Sequence, residues 1–171
     1  MKKLILACLI SFGFMSCKDV INEPLDYLNK VSYDLNKASD YEYSGVLEVG
    51  ELPNGELELE IKLYGATGNQ SVTFPTHLHF GSYDTPDAEM AAMLNPINAN
   101  TLTSRTILPQ LADGTKLTFE DFKSFDGHIK VHLASEGPDY QVILVAGNVG
   151  SNVDLSQGFN PDKITMCSDT Y

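Results

Sequence analysis

Residues 56–64 read ELELEIKLY, the clearest period-two stretch in the chain. Successive side chains of a strand point to opposite faces. Leu57, Leu59, Ile61 and Leu63 therefore share one face, and Glu56, Glu58, Glu60 and Lys62 the other. A strand of this kind has one side in a core and one in water. Pro53-Asn54-Gly55 stands immediately before it, and asparagine and glycine tolerate the positive φ of tight hairpins, so 56–64 should pair with Gly45–Val49. On this face assignment Leu59→Asp should unfold the domain, whereas Glu58→Lys should be nearly silent.

Working outward, the period stays close to two. Val31–Asn36 forms a weaker preceding strand. Further strands are expected at Val72–Phe74 or beyond, Thr76–Phe80, Thr101–Ile107, Ile129–Leu133 and Gln141–Ala146. Two segments break the pattern. Thr118 caps Phe119-Glu120-Asp121-Phe122 with an acid three residues on, so a short helix is expected, ending after Phe125 with Gly127 as its stop. Thr85 could cap a segment in which Pro86 suits the first helical position and DAEMAAML supplies good helix formers, so local propensity predicts a helix over Pro86–Leu94. The expected fold class is all-β: an antiparallel Greek-key β-sandwich or barrel with one or two short helices in its loops.

All four histidines fall in two evenly spaced pairs, His77 and His79 in PTHLHFG and His128 and His132 in GHIKVHLAS. Within each strand the histidines share a face, opposed by Leu78 and Phe80 or by Ile129, Val131 and Leu133. If the two strands are neighbours, three or four imidazoles converge on the polar side of a sheet. Three neutral imidazoles bind copper or zinc and leave a coordination position open. His77, His79 and His132 are the primary candidates, and His128 ranks below them. The alternative is a set of strand histidines that only hydrogen-bond. Asp84, Asp87 and Glu89 could hold calcium, but their spacing misses the EF-hand pattern. No Gly-x-Ser-x-Gly elbow, His-Glu-x-x-His helix or nucleophile paired with a base occurs, so no catalytic residue is assigned.

At the N-terminus Lys2 and Lys3 precede an apolar run from Leu4 to Met15, too short to span a bilayer and suited to a signal peptide. Phe14-Met15-Ser16-Cys17 resembles the lipobox of bacterial lipoproteins, which implies cleavage after residue 16 and lipidation of Cys17. Lys18-Asp19 resembles the short export signals of Bacteroidota lipoproteins. The expected location is the bacterial outer membrane, lipid-anchored, on the periplasmic or the surface side. Residues 17–30 then form a lipidated tether, 31–152 the domain and 153–171 a C-terminal tail.

The whole chain has 171 residues and a net charge of −12, and loss of Lys2 and Lys3 makes it −14. Such a charge argues against nucleic acid as a partner. Cys8 leaves with the signal and Cys17 carries lipid, which excludes an intrachain disulfide. Cys167 remains to pair between molecules, bind metal or stay a free thiol.

His77-x-His79-x-Gly81, GHIKVHL and LVAGNVG together resemble the CHRD (chordin-type) domain of bacterial envelope proteins, over Val31 to Asn152. Against local propensity, the resemblance implies a strand at Ala91–Leu94 before Asn95-Pro96, which leaves an expected helical turn at Pro86–Met90. The same order is similar to copper/zinc superoxide dismutases. That likeness would make His77, His79 and His132 copper-type ligands and AGNVGSN the match to a glycine-rich segment. Residues 81–127 hold no histidine, so a bridging ligand and zinc histidines are missing. The dismutase arginine would fall near Ser151 or Asn152, while the only arginine is Arg105. The resemblance thus implies a non-catalytic, lipid-anchored envelope-binding domain, whose partner is a protein, a glycan or a metal ion. A copper-dependent redox protein of dismutase type is the alternative.

Overall fold

The computed structural model describes residues 26–153, 156 and 158–166. The signal segment, Cys17 and Cys167 lie outside them. The described chain is antiparallel β with very little helix, as the alternating pattern requires. Its strands are β1 (Asn29–Lys37), β2 (Ser44–Glu51), β3 (Leu57–Tyr64), β4 (Thr73–Phe80), β5 (Met90–Asn98), β6 (Thr103–Leu108), β7 (Asp126–His132) and β8 (Ile143–Gly150). They form one sheet in the order β5-β4-β7-β8-β1-β2-β3-β6, curled so that the two edge strands come together. Asn95 bridges that seam from β5: its backbone N–H donates to Thr106 Oγ1 at 2.8 Å and its side-chain amide to the Arg105 carbonyl at 2.6 Å. The result is a nearly closed barrel.

The hairpin β2–β3 has the expected register, with Leu47 opposite Ile61 and Val49 opposite Leu59. Their side chains are at most 1% exposed and meet Leu35, Leu78, Ile129 and Val131 in one interior. The capping box is also present. Thr118 Oγ1 accepts from the Asp121 N–H at 3.2 Å while the Asp121 carboxylate accepts from the Thr118 N–H at 3.0 Å. The helix it starts, α1 (Phe119–Lys123), turns Phe119 and Phe122 into the core.

Four expectations need correction. No helical turn forms over Pro86–Met90: Asp87 takes φ 51°, outside the right-handed helical region, and β5 already begins at Met90 because pairing with β4 buries Ala91 and Ala92. Helix α1 ends at Lys123, with Ser124 as its cap, so Gly127 is not its stop. Gly127 instead lies in β7, where a Cβ would stand 2.8 Å from the His79 carbonyl oxygen. Thr101 and Leu102 belong to the turn before β6, Leu102 with φ 57°. The strands expected at 72–74 and 76–80 are one strand, in which Pro75 occupies a register shift between Phe74 and Thr76. Such an irregularity is where a sheet accommodates a missing N–H.

The glutamate face of β3 is not uniformly wet. Glu58 is 6% exposed, accepts a hydrogen bond from the Tyr27 hydroxyl and lies 3.9 Å from Arg105. Burial, then the bond to Glu58, pushes the Tyr27 phenol up to about 12. Glu58→Lys would therefore set a cation beside Arg105 and strip the tyrosine of its acceptor. We expect Leu59→Asp to abolish cooperative unfolding, Glu58→Lys to cost about 1–3 kcal/mol, and Glu56→Lys to be silent in urea denaturation. Equal behaviour of the two glutamate variants would refute the buried role of Glu58.

Candidate functional site

Strands β4 and β7 are neighbours, with His79 opposite His128 and His77 opposite Lys130. The two histidine motifs therefore share one face of one sheet. Their rings make a row. His128 lies 5.0 Å from His79, His79 lies 5.7 Å from His77, and His77 lies 5.1 Å from His132, all between centroids. Tyr140 extends the row, its ring 4.4 Å from His132 and nearly parallel to it. His128, ranked lowest from sequence, sits in the row beside the other three.

This face is not the wet side of a sheet. His79, His128 and His132 are 0% exposed, Lys130 1% and His77 6%. Three loop segments and the C-terminal stretch cover it. The Gly81 carbonyl takes the Nδ1–H of His128 at 2.7 Å, the Ala88 carbonyl that of His79 at 3.1 Å, and the Tyr140 carbonyl that of His132 at 2.7 Å. A carbonyl oxygen only accepts, so each of these Nδ1 atoms carries the proton and each Nε2 keeps its lone pair. Gly81, the last residue of the His-x-His-x-Gly motif, has φ 73°, a conformation that costs glycine nothing. Residues 158–166, part of the stretch assigned to a tail, lie against the barrel. The Thr165 carbonyl accepts from Lys130 Nζ at 2.6 Å, and the Thr165 hydroxyl donates to the Thr85 carbonyl, also at 2.6 Å.

Burial governs the electrostatics. It lowers His79 to a pKa of about 3, reinforced by the neighbouring His128. It lowers His128 and His132 to about 4 against the opposing pull of their carbonyl partners, and it lowers His77 as well. The imidazoles are neutral at physiological pH, the form that ligates metals. His128 Nε2 is buried with no hydrogen-bond partner among the described residues.

The rings form a row rather than a cage. Among the described residues no three His, Cys, Asp or Glu side chains are already drawn together around one point. Access is from the His77 end, where a cavity of about 610 Å³ is lined by His77, Met90, Met93, Glu136 and Tyr140, among others. Sequence reasoning missed Tyr140, whose loop carries no periodic signal. It placed Lys130 on the histidine face without indicating burial. The acidic trio does not behave as a calcium shell: Asp84, Asp87 and Glu89 are exposed on the loop between β4 and β5. Arg105 lies elsewhere, paired with Glu60 at 3.0 Å across β3 and β6.

No family model matches the chain, and no curated protein matches it.

Stability should follow these histidines. The unfolded chain protonates them near pH 6.5, and the folded chain holds three of them neutral down to about pH 3–4. Between those limits the unfolded state binds more protons, so stability rises with pH. It is fully present above about 6.5 and is lost as pH falls toward 4, by about 1.4 kcal/mol per pH unit for each such histidine. A thermal series at pH 4–8 should show a plateau above 6.5 and a steep fall below it. His128→Asn should reduce the slope. A flat profile would mean that the rings are not buried neutral.

Proposed function

We propose that this is a lipid-anchored cell-envelope binding domain that takes a copper or zinc ion at the imidazole row, through His77, His79 and His132, without turning over a substrate. The observation that carries the reading is the fixing of Nδ1–H on His79 and His132 by the Ala88 and Tyr140 carbonyls. Metal-ligating histidines characteristically donate their other ring nitrogen in this way, which sets the tautomer and the ring orientation. Ring spacing is compatible with it. Two imidazoles sharing an ion with metal–nitrogen distances of about 2.0–2.1 Å have centroids roughly 5 Å apart. The planes of His77 and His79 are inclined by 70°, and those of His77 and His132 by 51°, so neither pair is stacked face to face. His79 and His128 are within 12° of parallel, which favours His128 as a neighbour over a ligand. Loading requires the rings to pivot about these Nδ1–H bonds, which stay made, until their Nε2 atoms face a common point.

Binding is favoured over catalysis. A dismutase needs an attractive local field for an anion, whereas this chain carries a large negative charge and offers neutral Ser151 and Asn152 where the guiding cation would stand. Asn152 is engaged with the Asp126 carboxylate. The resemblance to CHRD domains and the Cys17 motif support placement at the bacterial outer membrane, with a protein, glycan or metal ion as partner.

Metal analysis of the detergent-solubilised chain, purified without chelator, tests the site. We expect one copper or zinc per chain, lost at least tenfold in affinity in His79→Ala, and the absence of specific metal would overturn it. The anchor has its own test. Cys17→Ser should move the protein from membranes to the soluble fraction and abolish labelling by a fatty acid. Unchanged partitioning would remove lipidation from the reading.

A further inference from the structure

The proposal that the imidazole row is a transition-metal site can be sharpened by what stands beside it on β5. Met93 is paired directly with His77, and Met90 with His79. Residues paired across an antiparallel ladder project from the same face. Both thioethers accordingly line the cavity into which His77 faces. Met93 is 67% exposed, while its neighbours Ala92 and Leu94 are 9% and 3% exposed. An edge strand is normally protected at such a position by a charge, lysine above all. This one presents a flexible, polarisable sulfur instead.

We propose that this cavity is a copper(I) site, in which the Met90 and Met93 thioethers join the His77 imidazole. The inference rests on the transition-metal reading of the row, with which it shares His77, and commits the ion at the cavity end to copper(I). Thioether sulfur is a soft donor that selects copper(I), whereas zinc is well served by imidazole alone. Two thioethers and one neutral imidazole bring no formal charge, which suits a monovalent ion better than a divalent one. Glu136 on the cavity wall supplies a carboxylate to attract the cation. No redox step is involved: the ion is taken as copper(I) and held as copper(I).

The test is an anaerobic copper(I) titration of the full chain against a competing copper(I) chelator, beside a separate zinc(II) titration. Wild type, His79→Ala and a Met90→Leu, Met93→Leu double variant are compared. Methionine-to-leucine changes conserve volume, so the barrel should stand. The double variant should lose copper(I) affinity at least tenfold and keep zinc(II) affinity within about twofold. Carbon-13 labelled methionine methyl signals of Met90 and Met93 should shift when copper(I) is added to the wild type. Unchanged copper(I) affinity in the double variant, or an equal fall for both ions, would overturn the thioether site. The histidine reading would survive if His79→Ala alone abolished binding. A wild-type chain that took neither ion would overturn both.

Discussion

Neutral imidazole inside a protein is the constraint on which the rest of this structure depends. Strands β4 and β7 are buried on both faces, one against an aliphatic interior and the other beneath loops. The second burial is possible only if ring N–H groups find acceptors where there is no water, because an unpartnered polar group there costs several kcal/mol. The acceptors are backbone carbonyls at Gly81, Ala88 and Tyr140. The conformation of two long loops is therefore tied to the protonation state of three rings. The loops and the histidines are one cooperative unit, with the stretch through Thr165 laid over it.

The barrel itself was largely legible in the sequence, and for a local reason. Leu57, Leu59, Ile61 and Leu63 alternate with charges, Asn54-Gly55 marks the turn, and Thr118 and Asp121 declare their helix through a bond that spans three residues. Each of these signals is contained within one strand, turn or cap. Glu58 was misread because the side chains that cover it, Tyr27 and Arg105, come from distant parts of the chain. Pro86–Met90 was misread because helix propensity is a local preference, and pairing with β4 overrode it.

The candidate site was legible to the same degree. Even spacing put His77 with His79 and His128 with His132, and adjacency of β4 and β7 put the pairs together. The depth of their burial was not legible, since it is produced by loops whose covering role has no periodicity. Nor was the company of Met90 and Met93. Their places opposite His79 and His77 follow from the β4–β5 register, which shifts twice along the strand pair. A single-residue error there would exchange sulfur for the methyl groups of alanine.

The seam of the barrel carries a further consequence. Between β5 and β6, among the described residues, the ladder of main-chain bonds gives way to the two bonds of one residue, Asn95, through its backbone N–H and its side-chain amide. A cylinder closed in this manner is a slit tube, and its slit is the place where thermal breathing should begin, ahead of any global loss of structure. The strands beside the slit, β5 and β6, would be the first to swing outward, their amides exchanging with solvent while β7 and β8 stay protected. The wall that holds the two sulfurs thus borders the slit, and a guest could enter or leave there without disturbing the hydrocarbon interior.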